Sequence, residues 1–183
     1  MKVRLTNEGK IKLVLSFSLL VYASVISIVN RNLYAFLPMM WSSIGDISIM
    51  SSRGCIFGGE RTNTFKFAII SFAFAHISYI AVMQTKLSIT LFFISTFLLI
   101  IIVITSIKYN KTVPSSIYAI ILIMNFINSI FFDVLAVVGL ASFIISDAVL
   151  AKYEDEDVRW QILIWVTYVF AQICILTSLA LTR

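Results

Sequence analysis

Seven runs of apolar residues, each close to the length of a membrane-spanning helix, dominate this 183-residue sequence. A bilayer core about 30 Å thick needs roughly 20 apolar residues in a helix, within a range of about 17–25. Runs of this length lie near residues 13–29, 33–50, 65–83, 87–106, 115–132, 134–151 and 160–180. Hydrophobic residues make up 60% of the chain, against roughly 45–50% in soluble domains. A soluble enzyme is therefore excluded.

The runs favour helices over membrane strands. None alternates apolar and polar residues with period two, which disfavours a β-barrel. We therefore expect an all-α bundle of seven transmembrane helices that forms one integral membrane domain, residues 1–183. Pro38 is expected to kink the second helix, and Pro114 to lie in the first turn of the fifth. Asp133 and Asp157 are expected to cap the sixth and seventh helices.

The distribution of basic residues predicts the orientation of the bundle. With the N-terminus in the cytoplasm, eleven of the 14 Lys and Arg residues fall on the inner side and three on the outer side. The positive-inside rule thus places the N-terminus in the cytoplasm and the C-terminus outside. Nucleic acid is excluded as a partner, because the net charge of +5 is divided among short loops and forms no basic cluster.

A few polar residues occupy the apolar runs. A carboxylate at the centre of a membrane helix costs about 2.5–3.5 kcal/mol on insertion scales, so such residues are candidates for function. Asp46 and Asp147 lie in the last turns of the second and sixth runs, and His76 and Gln172 lie in the middle of the third and seventh. The predicted orientation puts both aspartates toward the cytoplasmic end.

Helical spacing gives these residues polar companions on the same helix faces. The predicted faces comprise Met39, Ser42 or Ser43, and Asp46; Phe65, Phe72, His76, Tyr79 and Met83; Tyr118, Asn125 and Asn128; and Gln161, Trp165, Tyr168 and Gln172. We expect these faces to converge on the interior of the bundle.

Each residue also has a purely structural interpretation. An aspartate near a helix end can reach water or pair with a nearby Lys or Arg. His76 can be a hydrogen-bonded structural residue, and Asn125 and Gln172 can join helices by hydrogen bonds. One histidine and two cysteines are too few for a four-ligand zinc site or a His-rich zinc hydrolase. We expect no metal and no cofactor.

Four motifs, in order along the chain, resemble the lysoplasmalogenase (YhhN-like) family of membrane proteins. They are Ser43-Ile-Gly-Asp46, Phe65-x-x-Ala68-x-x-x-Phe72-x-x-x-His76-x-x-Tyr79, Phe143-x-x-Ser146-Asp147-x-x-x-Ala151 and Tyr168-x-x-Ala171-Gln172. The resemblance covers roughly residues 10–180. The family usually has eight helices, and its first helix has no expected counterpart here, because nothing apolar precedes Lys10-Ile-Lys12.

The resemblance implies hydrolysis of the vinyl-ether bond of a lysoplasmalogen, a lysophospholipid, to a fatty aldehyde and a glycerophospho-alcohol. Such a bond opens when an acid protonates its outer alkene carbon and water traps the resulting cation. We assign Asp147 as the acid, Asp46 as the anion or base, and His76 as a proton shuttle or orienting partner. The expected substrate-binding residues are Tyr79, Tyr118, Asn125, Tyr168, Gln172, and Lys10 or Lys12 at the lipid phosphate.

Two other functions fit the same residues. A small proton- or cation-coupled transporter would use buried Asp, His and Gln side chains as an ion path, and a non-catalytic membrane interaction protein would use them for packing. In all three cases the expected location is a bacterial inner or plasma membrane.

Overall fold

The computed structural model describes residues 7–30, 36–52, 61–108, 112–153 and 158–182, most of which lie in seven α-helices. These are α1 (Asn7–Val29), α2 (Phe36–Ser52), α3 (Arg61–Met83), α4 (Ser88–Lys108), α5 (Thr112–Ile130), α6 (Val134–Tyr153) and α7 (Val158–Leu181). The described ranges contain no β-strand. The all-α class and the number of helices are confirmed.

Six of the helices are long and apolar enough to cross a membrane, which makes the chain an integral membrane protein. The exception is α2, which has 17 residues. At about 1.5 Å per residue it extends roughly 25 Å, slightly less than the hydrocarbon core of a bilayer. This shortest helix carries Asp46.

The helices α1, α2, α3, α5, α6 and α7 form a closed ring, and α4 packs outside it. Within the ring, α1 contacts α2 and α7, α3 contacts α2 and α5, and α6 contacts α5 and α7. The outer helix α4 contacts α3 and α5, where a small second core forms around Ile102 and Ile121. The main core fills the ring and includes Phe72, Tyr79, Phe143 and Tyr168. The ring therefore surrounds the polar residues predicted to converge.

The start of α6 confirms the predicted N-cap. The backbone N–H of Leu135 donates to Asp133 Oδ2 at 2.9 Å, and the Ser178 hydroxyl donates to the same oxygen at 2.7 Å. Chiefly the Ser178 hydrogen bond, together with backbone N–H donors, holds the pKa of the Asp133 carboxyl below its usual range. Because Ser178 belongs to α7, this cap also joins two helices. The other predicted cap, Asp157, lies outside the described residues.

The two prolines occupy similar positions, which corrects one prediction. Pro114 lies in the first turn of α5, as expected. Pro38 was expected to kink the second helix, but α2 begins at Phe36, so Pro38 also lies in a first turn. N–H groups of a first turn have no partner inside the helix, so proline costs little there. The kink prediction was wrong, because a proline in the first turn interrupts no hydrogen bond of the helix.

Gly139 allows α6 and α7 to pack closely. A Cβ atom at this position would lie 2.7 Å from Ile175 Cγ1 and 2.9 Å from the Ala171 carbonyl oxygen. We expect Gly139→Ala to lower the free energy of unfolding by about 1–3 kcal/mol, the usual cost of overpacking. Unfolding in detergent by titration with SDS measures the change. Val138→Ile adds a methyl group beside Gly139 on a more exposed surface and serves as the control. Equal stability of both variants would contradict this account of the α6–α7 contact.

Candidate active site

Asp46 lies inside the ring, where three helices meet. Its side chain on α2 is only 4% exposed. The Ser16 hydroxyl of α1 donates to Asp46 Oδ2 at 2.8 Å, and the Tyr168 hydroxyl of α7 donates to the same oxygen at 2.9 Å. Two hydroxyl donors on one carboxylate oxygen stabilise a negative charge. These two hydrogen bonds therefore favour the ionised form of Asp46.

Asp147, on α6, ends a row of hydrogen-bonded side chains. The Tyr118 hydroxyl donates to Asp147 Oδ2 at 2.5 Å. The Tyr118 oxygen also lies 3.2 Å from His76 Nε2, and His76 Nδ1 lies 3.0 Å from the amide nitrogen of Asn125. The row thus connects α5, α3 and α6, and it reaches a carboxyl group that is only partly buried.

One small pocket lies between the two aspartates. Its volume is about 30 Å³, which is enough for one water molecule. The residues that line it are Asp46, Ile49, Phe72, Ser146, Asp147, Leu150, Ile164, Trp165 and Tyr168. The structure therefore brings Asp46 and Asp147 together, although they are separated by 101 positions in the sequence.

An apolar cavity of about 260 Å³ adjoins this pocket. It extends between α3, α5 and α6, and Asp147 and Tyr118 are among the few polar groups in its wall. Ile49, Phe72, Asp147 and Leu150 line both the cavity and the pocket. Asp147 therefore borders both the apolar cavity and the small pocket.

A second apolar groove, of about 670 Å³, runs between α1 and α7. One end carries Lys12, which is only 6% exposed and donates to Gln161 Oε1 at 3.5 Å. The Lys12 ammonium group also lies 5.5 Å from the centre of the Trp165 ring. Trp165 lines both this groove and the aspartate pocket, so it separates a buried cation from the two carboxyl groups.

Several other predicted site residues are not among those that line the aspartate pocket. The Tyr79 hydroxyl donates to Gln172 Oε1 at 2.6 Å, and Gln172 Nε2 donates to Ser42 Oγ at 3.2 Å. Tyr79 and Gln172 are fully buried and are not among the residues that line the aspartate pocket. Asn125 is likewise fully buried behind His76, and Lys10 is exposed at the start of α1.

Three residues at the site were not predicted to be catalytic or to bind substrate, although Trp165 was placed on an interior face and Ser146 belongs to one of the four motifs. Ser16 binds Asp46, Trp165 forms the wall between groove and pocket, and Ser146 lines the pocket while its hydroxyl donates to the Ile164 carbonyl oxygen at 2.9 Å. Trp165 shares a helix face with Tyr168, which was a usable signal. Nothing in the sequence separates Ser16 from the other serines of α1.

The purely structural interpretation fits His76 and Gln172 better than it fits the two aspartates. Within the described ranges, the partners of Asp46 and Asp147 are hydroxyl groups instead of the Lys or Arg side chains that an ion pair at a helix end would need. His76 has partners at both ring nitrogens, and Gln172 joins α7 to α2 and α3. Among described residues, no three His, Cys, Asp or Glu side chains are placed to hold a metal ion.

One comparison with known proteins gives a match. The model of the YhhN family matches residues 10–179, which include every residue that lines the aspartate pocket. No curated protein and no solved structure matches the chain.

Proposed function

We propose that this chain, which belongs to the YhhN family, is a lysoplasmalogenase-like hydrolase that cleaves a vinyl-ether bond by acid-base catalysis with two aspartates. The observation that carries the proposal is the pocket lined by both Asp46 and Asp147, which shares four lining residues with an adjoining apolar cavity. Paired carboxyl groups of this kind perform the related cleavage of acetals in glycosidases, where a cation of the same type forms.

The reaction begins with protonation of carbon. Asp147 gives its proton to the outer alkene carbon, the alkene electron pair forms the new C–H bond, and a cation shared by carbon and the ether oxygen remains. An apolar environment favours the protonated form of a carboxyl group. Asp147 is assigned this role because it lines both the apolar cavity, which would hold the alkenyl chain, and the small pocket, which would hold water.

Water then completes the cleavage. A water molecule in the small pocket attacks the cation and passes one proton to Asp46, which gives a hemiacetal. The hemiacetal hydroxyl returns a proton to Asp147, Asp46 gives its proton to the departing ether oxygen, and an aldehyde and an alcohol leave. Both aspartates end in their starting states. The two hydroxyl donors on Asp46 support its role as the anion.

Lys12 is the proposed contact for the phosphate of the lipid. It lies beside the wall of the aspartate pocket, whereas Lys10 is exposed. A charge-assisted hydrogen bond contributes about 1.5–3 kcal/mol, and each 1.4 kcal/mol is about tenfold in affinity. We therefore expect Lys12→Gln to raise KM for the lysophospholipid at least about tenfold. Lys10→Gln, two residues away, is the control. An equal effect of both variants would contradict a specific phosphate contact at Lys12.

The proposed orientation has the N-terminus in the cytoplasm of a bacterial cell and the site in the cytoplasmic half of its inner membrane. It rests on the eleven Lys and Arg residues assigned to the inner side. We expect alkaline phosphatase fused after α7 to be active and green fluorescent protein fused there to be dark. The opposite pattern of reporter activity would contradict the orientation and place the site in the outer half.

The activity itself is tested with purified protein in detergent and three lysophospholipids that share one head group. The first carries an alkenyl ether, the second a saturated alkyl ether and the third an ester. We expect aldehyde from the alkenyl lipid alone, since only that lipid has an alkene carbon to protonate. The Asp46→Asn/Asp147→Asn double variant controls for contaminating hydrolases. No aldehyde from the alkenyl lipid, with proton flux across vesicles instead, would overturn the proposal in favour of a proton-coupled transporter.

A further inference from the structure

We propose that Asn125 and His76 are positioning residues, whose hydrogen bonds run in one direction through Tyr118 and place the acidic proton of Asp147 on Oδ1. The catalytic consequence rests on the proposed function. The direction of the hydrogen bonds does not depend on that function, because it follows from the donors and acceptors of the side chains. Asn125 and His76 are fully buried, and among the described residues Tyr118 joins His76 to Asp147.

The first step is the contact between Asn125 and His76. The amide nitrogen of Asn125 only donates hydrogen bonds, and it lies 3.0 Å from His76 Nδ1. A proton on Nδ1 would face an N–H group across that distance, so Nδ1 must be the acceptor. A ring with a bare Nδ1 is neutral and carries its proton on Nε2.

The orientation of the Asn125 amide has independent support. Among the described residues, the amide oxygen of Asn125 is buried without a hydrogen-bond partner. Exchange of the oxygen and nitrogen would leave an NH₂ group with two donors in that position. A buried carbonyl oxygen without a partner is more common in proteins than a buried N–H group without one. The orientation with nitrogen toward His76 is therefore the less costly one.

The protonated nitrogen of His76 determines the direction of the next hydrogen bond, which joins His76 to Tyr118. With its proton on Nε2, His76 donates to the Tyr118 oxygen, which lies 3.2 Å away. The Tyr118 hydroxyl proton is then directed at Asp147 Oδ2, 2.5 Å away. Each group donates to the next, and hydrogen bonds aligned in this way polarise and strengthen one another.

The hydrogen bond from Tyr118 determines which oxygen of Asp147 carries the acidic proton. A protonated carboxyl group has one carbonyl oxygen, which accepts, and one hydroxyl oxygen, which donates. Oδ2 already accepts from Tyr118, so the proton belongs on Oδ1. Asp147 lines both the aspartate pocket and the apolar cavity. Its proton is thereby kept available for substrate instead of being directed at Tyr118.

The substitution Asn125→Asp should reverse the direction of these hydrogen bonds. The carboxylate in Asn125→Asp only accepts, so it would draw the histidine proton to Nδ1 and leave Nε2 bare. Tyr118 would then donate to His76 and no longer to Asp147. An exchange between amide and carboxylate beside a catalytic histidine is known to select the wrong tautomer in serine proteases.

Nitrogen NMR of the protein in lipid tests the assignment directly. The chain contains one histidine, so labelling with ¹⁵N-histidine gives the signals of a single ring. We expect a protonated Nε2 and a bare Nδ1 in the native protein, and the reverse in Asn125→Asp. Asn128→Asp is the matched control: Asn128 is also fully buried on α5, but its amide nitrogen donates to Met83 Sδ. This control should leave the histidine signals unchanged.

Kinetics provide the second measurement. Asn125→Asp should lower kcat by on the order of 10–100-fold, as loss of an orienting partner does at metal-bound histidines, with KM unchanged. A protonated Nδ1 in the native protein would overturn the inference even if the protein releases aldehyde. The expected histidine signals without aldehyde release would instead refute the proposed function and leave the direction of the hydrogen bonds intact.

Discussion

Asp147→Asn is expected to lower kcat for vinyl-ether hydrolysis by about 10²–10⁴-fold, which is the share usually contributed by a general acid. The amide keeps the shape of the side chain and still accepts the hydrogen bond from Tyr118, but it has no acidic proton to give to carbon. The fold should remain intact, because asparagine fits the same space. Initial rates of aldehyde release, with unfolding in detergent measured in parallel, separate loss of catalysis from loss of structure.

Asp133→Asn is the matched control for this variant. It makes the same chemical change at the first residue before α6, far along the helix from Asp147, and asparagine caps helices about as well as aspartate. Full activity is expected for it. If Asp147→Asn and Asp133→Asn had the same activity, Asp147 could not be the acid.

Asp46→Asn is expected to lower kcat by about 10²–10³-fold, the typical cost of removing one electrostatic contact to the charge of a transition state. The carboxylate is proposed to stabilise the cation and to accept a proton from water, and a neutral amide does neither. KM should change little, because the charge forms only during the reaction. Measurement of kcat and KM with the alkenyl lipid distinguishes this result from a defect in binding.

Tyr168→Phe gives a graded test of the same role. It removes one of the two hydroxyl donors to Asp46 and leaves Ser16 in place, so a smaller loss of kcat is expected than for Asp46→Asn. Tyr22→Phe, which removes an exposed hydroxyl on α1 that contacts Thr177, is the control. An Asp46→Asn variant with native kcat would contradict the role of Asp46 as the anion.

The sequence predicts the fold well, because the length of an apolar run is a direct measure of a membrane helix. The seven predicted runs correspond to the seven helices, with ends that differ by up to six residues. The ends are less certain, since polar residues can continue a helix beyond its apolar part, as at the start of α1.

The site is harder to predict from the sequence than the fold. Helical spacing shows which face of a helix a side chain occupies, but it does not show which residue that side chain contacts. Tyr168 and Gln172 share one face of α7, yet Tyr168 binds Asp46 while Gln172 binds Tyr79. Lys10 and Lys12 could not be distinguished until the packing of α1 was known. At about 100° per residue they point to nearly opposite sides of that helix, and only Lys12 faces α7.

The contact of Ser16 with Asp46 could not be predicted from helical spacing. Serines in apolar helices often bond to the carbonyl oxygen four residues earlier, as Ser18 does with Val14 and Ser24 with Leu20. Ser16 precedes Ser18 by only two residues on the same helix but donates to Asp46 on another helix. Only the packing of α1 against α2 distinguishes it.

Hydrolysis in D₂O tests the central claim most directly. The purified protein is given an alkenyl lysophospholipid, and the aldehyde is reduced at once to the alcohol so that later exchange is prevented. Protonation of carbon by an acid that exchanges with solvent predicts one deuterium on the carbon next to the former carbonyl group. Aldehyde without that deuterium would contradict carbon protonation, and with it the proposed role of Asp147.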